Sequence, residues 1–132
     1  MHFEATLPAA LDHAASTWSG KPAIIEQSSV ITFGELNTRA RKMAKAFIGS
    51  GLEFGDRFAI WAPNSSVWQI TALAGELAGC VLVPLNTRYK SSEANDILTR
   101  SGCKVIFYAD SFLGNDYRAM LEDSNIPLVI DI

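Results

Sequence analysis

Charge is scarce in this 132-residue sequence. Asp, Glu, Lys and Arg make up 19%, and 11 basic against 14 acidic residues leave a net charge of −3. That balance provides no electrostatic footprint for nucleic acid or for an anionic membrane surface. The basic residues are scattered. Their densest group, Arg39-Ala-Arg41-Lys42, reads as the solvated face of a helix. Cysteine and histidine are rarer still, with two of each. The spacing of Cys80 and Cys103 matches no zinc pattern, and His2 and His13 lie far from both in sequence. Each cysteine sits among apolar neighbours, so buried free thiols are expected. That suits a reducing compartment, the cytoplasm. The opening MHFEATLPAALDHAAS has no basic region followed by an apolar run, so no signal peptide is expected.

What the sequence does have is apolar content, 48% of residues. That is ample for a core and argues against disorder. One nearly uncharged run is Val67 to Asn86, where Glu76 is the single charge. The run approaches the ~17–25 residues that span a bilayer as a helix. It does not read as one helix. Gly79 should end a helical part, about Val67 to Ala78. Cys80-Val-Leu-Val83 is rich in β-branched residues, and Pro84 closes it. Gln69 and Glu76 are also costly in lipid. The run is therefore expected to be a mostly buried helix feeding a buried strand. Its small residues, Ala72, Ala74, Gly75 and Ala78, would let the helix sit close to a sheet.

The rest of the chain repeats this alternation. A short helix is expected at about Pro8 to Thr17. Pro22–Glu26 and Val30–Phe33 form the two arms of a β-hairpin around Gln27-Ser28-Ser29. Thr32-Phe-Gly-Glu35 has capping-box spacing. Behind it, Leu36, Ala40, Met43, Ala44, Phe47 and Ile48 fall on one helical face, and Gly51 should stop that helix. Arg57 to Ala62 is a buried strand, ended by Pro63-Asn64, and Asn64 or Ser65 caps the following helix. Ser92–Ser101 is a helix stopped by Gly102, Lys104–Tyr108 a strand, Tyr117–Glu122 a helix, and Pro127–Ile130 a strand. Short strands alternating with helices imply a parallel, doubly wound α/β sheet, and continuous apolar strands fit a sheet covered on both faces.

No chemistry is legible in individual residues. Gly49-Ser-Gly51-Leu-Glu-Phe-Gly55 has dinucleotide-fingerprint ingredients, but its spacing is GxGxxxG and it follows a helix, the reverse of a phosphate-binding turn. Ser19-Gly20-Lys21-Pro22 offers one glycine ahead of a proline, too little for a phosphate cradle. Ser65-Ser66 has no nearby histidine in sequence and reads as a cap. Asp12-His13 reads as a solvated pair. Asp110, Asp116, Glu122 and Asp123 show no metal-ligand pattern.

The order of segments says more. Ile31-Thr32-Phe33-Gly34-Glu35-Leu36 resembles the "(L/I)TYxEL" opening of the adenylate-forming (AMP-binding) enzymes. These include acyl-CoA synthetases, aryl-CoA ligases, luciferases and peptide-synthetase adenylation domains. Met43-Ala44-Lys45-Ala46-Phe47 resembles the family's "xAxxL" helix, and Gly51 through Gly55-Asp56-Arg57 to Ile60 its "GvxxGDRVAI". Pro63-Asn64-Ser65 with Trp68 resembles "PNSxEW". Ala78-Gly79 through Pro84-Leu85-Asn86 with Arg88 resembles "AGavxvPLNxR", and Ser101-Gly102 to Ile106 resembles "sgakvli". The ordered set covers about Lys21 to Ile132.

The resemblance implies ATP-dependent activation of a carboxylic acid to an acyl-adenylate, then transfer to a thiol, usually coenzyme A. The Pro84-Leu-Asn-Thr-Arg88-Tyr form is most like fatty-acyl and related acyl-CoA ligases. The family's phosphate loop, its adenine and ribose contacts and its adenylating lysine match nothing here. No catalytic, cofactor-binding or metal residue can therefore be assigned. Residues 1–21 themselves read as a polar lead-in with a short helix. Residues 22–132 would be the N-terminal α/β subdomain, cut before the catalytic motifs. ATP, Mg2+ and CoA would serve a full-length parent, with none bound by this piece alone. The expected partners are the remainder of the AMP-binding domain, the parent's carboxylic acid, and a second copy through an exposed sheet edge. Two alternatives stay open: a non-catalytic interaction module of the same fold, and a peptide-synthetase adenylation domain. For Arg88, in the loop after a strand, two readings stand. It faces the acyl pocket or the remaining part of the domain, or it forms a surface or interdomain salt bridge.

Overall fold

The computed structural model describes residues 6–132. Residues 1–5 of the expected lead-in lie outside the described residues. Helix α1 (Leu7–Thr17) starts where the Thr6 hydroxyl accepts the Ala9 amide at 3.3 Å. The hairpin forms as the pattern implies, from β1 (Pro22–Glu26) and β2 (Ser29–Thr32), with Ile25 opposite Val30 and Glu26 opposite Ser29. Phe33, expected in the returning strand, is instead the first residue of α2 (Phe33–Gly49), because the capping box closes at Thr32. Thr32 Oγ1 accepts from the Glu35 amide at 3.3 Å, and Glu35 Oε2 accepts from the Thr32 amide at 2.9 Å. The Thr32 amide, and after it the Thr32 hydroxyl, donate to the Glu35 carboxylate and hold it below its usual range. The helix ends at a Ser50 cap followed by Gly51 at φ 91°. Leu36, Ala40, Ala44 and Phe47 are buried on its inner face. Ile48 is not. It is 59% exposed, because one step past Phe47 turns the side chain about 100° round the helix.

The second half is the expected alternation: β3 (Arg57–Trp61), α3 (Ser66–Leu77), β4 (Val81–Pro84), α4 (Ser91–Ser101), β5 (Val105–Tyr108). A small hairpin follows, β6 (Ser111–Phe112) and β7 (Asn115–Asp116), then α5 (Tyr117–Met120) and β8 (Leu128–Asp131). β4, β3, β5 and β8 lie side by side in that order, all parallel. The long apolar run breaks at Gly79, whose φ of 78° cannot continue a helix. Among the described residues, no helix is long and apolar enough to cross a membrane. Strand ends shift by a residue, with Ala62 and Cys80 outside β3 and β4, and two larger departures from expectation follow. The last helix stops at Met120 rather than Glu122, and the β6–β7 hairpin has no counterpart in the sequence reading. Its turn is Leu113-Gly114, with φ 52° and 75°. A leucine there offers none of the usual turn chemistry, and two-residue arms are too short to show alternation.

The two central strands fix the core. On β3, Phe58 and Ile60 face one way and Ala59 and Trp61 the other; on β5, Val105 and Phe107 oppose Ile106 and Tyr108. The first set packs under α2 and α3 through Phe47 and Ala74. The second packs under α4 and α5 through Ala94, Leu98, Tyr117 and Leu121. A third cluster, Leu11, Ile24, Ile31, Leu36 and Ala40, fastens α1 and the β1–β2 hairpin to α3. Asp12, expected to be solvated, is half exposed and pairs with Arg41 of α2. The sheet is thus doubly wound. Its outer strands are less covered, with Val81, Leu128 and Val129 exposed. Both cysteines are buried free thiols, and burial pushes each thiol pKa up. Below the sheet's amino end, Lys104 Nζ meets the Asp56 carboxylate at 2.8 Å. That contact lowers the Asp56 pKa and raises that of Lys104.

At Gly75, α3 lies close against the sheet. A Cβ added there would lie 2.1 Å from the Phe58 ring. Phe58 has no room to retreat, because it stands edge-on to Phe47 and Phe107 at 5.2 and 6.4 Å. Gly75→Ala is expected to cost about 1–3 kcal/mol of stability, read from urea unfolding midpoints. An unchanged midpoint would contradict this packing.

Candidate functional site

Open α/β sheets bind ligands outside the carboxyl ends of their strands, where neighbouring strands send their connections to opposite faces. β3 and β4 do this here. β3 exits through Ala62-Pro63-Asn64 into α3 on one face, and β4 exits through Leu85-Asn86-Thr87 towards α4 on the other. Between the two exits lies an open groove of about 680 Å³, walled by Asn64 and Trp68 on one side, by Pro84 to Thr87 on the other, and by Phe112. Ser65, one of the two expected caps, takes the Trp68 amide on its hydroxyl at 3.1 Å and so fixes the start of α3. Ser66 is held from elsewhere: Glu26 accepts its hydroxyl at 2.7 Å and its amide at 3.3 Å.

The β4 exit is pinned at each residue. The Leu85 amide donates to Ile60 O at 2.9 Å. The Trp61 indole donates to Asn86 O at 3.0 Å, and the Tyr117 hydroxyl donates to Thr87 O at 2.8 Å. Asn86 Oδ1 accepts from the Arg88 amide at 2.9 Å. Trp61 and Tyr117 are both fully buried, with ring centroids 4.6 Å apart. Burial raises the Tyr117 pKa, so the phenol stays protonated and remains a donor. The β6–β7 hairpin joins this end of the molecule, with Lys90 Nζ donating to Asn115 Oδ1 at 2.6 Å. The sequence placed Asn86 and Arg88 in a loop at a strand's carboxyl end, and that is where they are. It showed nothing of Trp61 or Tyr117, whose partners are distant in sequence.

The phosphate-loop lookalikes are not cradles. The Gly51 amide donates to Ile48 O at 3.1 Å and the Gly55 amide to Gly79 O at 2.8 Å. The Lys21 amide donates to Trp18 O at 2.8 Å. These donors are engaged, and the segments are a helix stop and turns. Among the described residues no group of three His, Cys, Asp or Glu side chains could hold a metal ion.

The sequence model of the AMP-binding enzyme family matches residues 11–131. The chain belongs to this family. Among curated AMP-binding relatives, it is 43% identical to a (methyl-dioxo-octahydro-indenyl)propanoyl:CoA ligase of Mycobacterium tuberculosis, across 92% of this chain and 24% of the relative. It is 33% identical to a mitochondrial medium-chain acyl-CoA ligase of Mus musculus, across 89% of this chain and 19% of that protein. Among solved structures, a fatty acyl CoA synthetase of Mycobacterium tuberculosis superposes with a TM-score of 0.86 at 26% identity. The match covers 96% of this chain and 26% of that one. The chain thus spans about a quarter or less of the length of these AMP-binding relatives.

Within the described residues the Arg88 side chain is exposed and has no ion-pair or hydrogen-bond partner. Of the expected surface or interdomain salt bridge, the surface form is not made among the described residues. Arg88→Ala is expected to change the stability of this chain by less than about 0.5 kcal/mol. A larger loss in a thermal melt would reveal a partner that this geometry lacks.

Proposed function

We propose that this chain is the N-terminal subdomain of an ATP-dependent acyl-CoA ligase, residues 22–132 behind a lead-in of residues 1–21. In the whole enzyme a carboxylate oxygen attacks the α-phosphorus of ATP, releasing pyrophosphate and leaving an acyl-adenylate. The thiolate of CoA then attacks the acyl carbon and releases AMP. Identity to the mycobacterial CoA ligase over nearly the whole chain carries this reading. Mg2+ and the phosphates of ATP are held by the remainder of the parent, since the phosphate-loop lookalikes here have their amides engaged. A cytoplasmic setting suits the two free thiols. The acid's identity lies outside these residues.

The chain's own part is scaffolding. It supplies a sheet edge and a rigid wall of the groove. Alone, it leaves β4 and β8 with an unpaired edge and exposed Val81, Leu128 and Val129. Such edges recruit further strands, from the parent or from a second copy.

Two assays on the purified 132-residue chain and its parent test this together. The chain is expected to show no carboxylate-dependent ATP–pyrophosphate exchange and to self-associate in light scattering. The parent is expected to show exchange with at least one acid in a panel, and CoA-dependent release of AMP. Exchange by the chain alone, or none by the parent, would overturn the assignment. A clean monomer with a cooperative melt would overturn the open-edge account.

A further inference from the structure

The backbone of Leu85 to Arg88 carries a hydrogen bond at every residue. Two buried aromatic residues, from β3 and α5, direct their single donors at the consecutive carbonyls of Asn86 and Thr87. Their rings are in contact, so neither can shift without disturbing the other. The Leu85 amide and the Asn86 side chain complete the set. The segment so fixed is one wall of the groove between the diverging exits of β3 and β4, and Asn86 is exposed there. Mutual geometry of this kind is how a binding wall is preorganised: its supporting groups are locked from behind, and its free face needs no rearrangement when a ligand arrives.

We infer that Trp61 and Tyr117 are positioning residues, which set the Leu85–Arg88 wall for a substrate of the parent ligase. This inference rests on the ligase reading above. Neither side chain touches the groove's contents. Each acts through the carbonyl it holds. Both donors serve one short segment, so loss of either should free much of the same motion, and their effects should be coupled rather than additive.

The test uses Tyr117→Phe and Trp61→Phe in the full-length parent, singly and together. Both changes keep an aromatic ring in the core and remove the donor; Trp61→Phe also removes part of the buried indole, so its Tm is expected to fall further. KM for ATP, acid and CoA, kcat and Tm are measured for each variant. Gly75→Ala serves as a control that disturbs packing on the opposite face of the sheet. The expected result is a rise of at least about threefold in KM for one substrate in each single variant, with kcat within about twofold. The double variant should show less than the product of the two effects. Gly75→Ala should lower Tm and leave every KM in place. Variants whose Tm falls while all KM values stay within twofold would overturn the positioning role and leave the ligase reading standing. KM values that move equally in Gly75→Ala would also overturn it, since any loss of packing would then suffice. A wild-type parent without acid-dependent exchange would overturn the ligase reading and this inference with it.

Discussion

A parallel strand buried on both faces needs an apolar side chain at nearly every position and a helix over each side. Two strands here meet that condition, β3 and β5, and the rest of the chain is arranged to keep them covered. Phe58, Ile60, Val105 and Phe107 need α2 and α3; Ala59, Trp61, Ile106 and Tyr108 need α4 and α5. The close approach of Gly75 to Phe58 brings α3 near enough to seal its side. The β1–β2 hairpin and α1 lie outside the sheet and serve it indirectly, by holding α2 and α3 through Leu11, Ile24 and Ile31.

Covering both faces has a geometric consequence. Because α3 lies on one face and α4 on the other, β3 and β4 must part at their carboxyl ends, and a groove opens between them. An exposed wall there would ordinarily be mobile. Trp61 and Tyr117 prevent that, since each is buried in the core and bonded to the wall's backbone. The same residues that fill the core on that face therefore also shape the groove, and packing and site geometry are not separable in this part of the chain. Membership in the AMP-binding family places the groove in a larger context, because related ligases are several times longer than this chain.

Local signals in the sequence carried most of the fold. The Thr32–Glu35 capping box, and the glycines at 51, 79 and 102, act within a few residues of themselves, and each one sits where its spacing implied. The central strands were legible because full burial leaves an unbroken apolar run. What failed was either short or long-range. Ile48 shared an apolar stripe on paper yet falls just past the edge of the buried face. The β6–β7 hairpin has arms of two residues and a leucine in its turn. The hydrogen bonds from Trp61 and Tyr117 to the groove wall join residues 25 and 30 positions apart, and no periodicity encodes such a pairing. The family was legible from the order of weak motifs, each too short to identify it alone.

The central claim is that this chain is one subdomain of a larger adenylate-forming ligase. The most direct measurement is the intact mass of the protein in the cell that makes it. The account predicts a mass several times the 14.4 kDa of this chain. A product of 14.4 kDa would contradict it and leave a fold of this family without the rest of its enzyme.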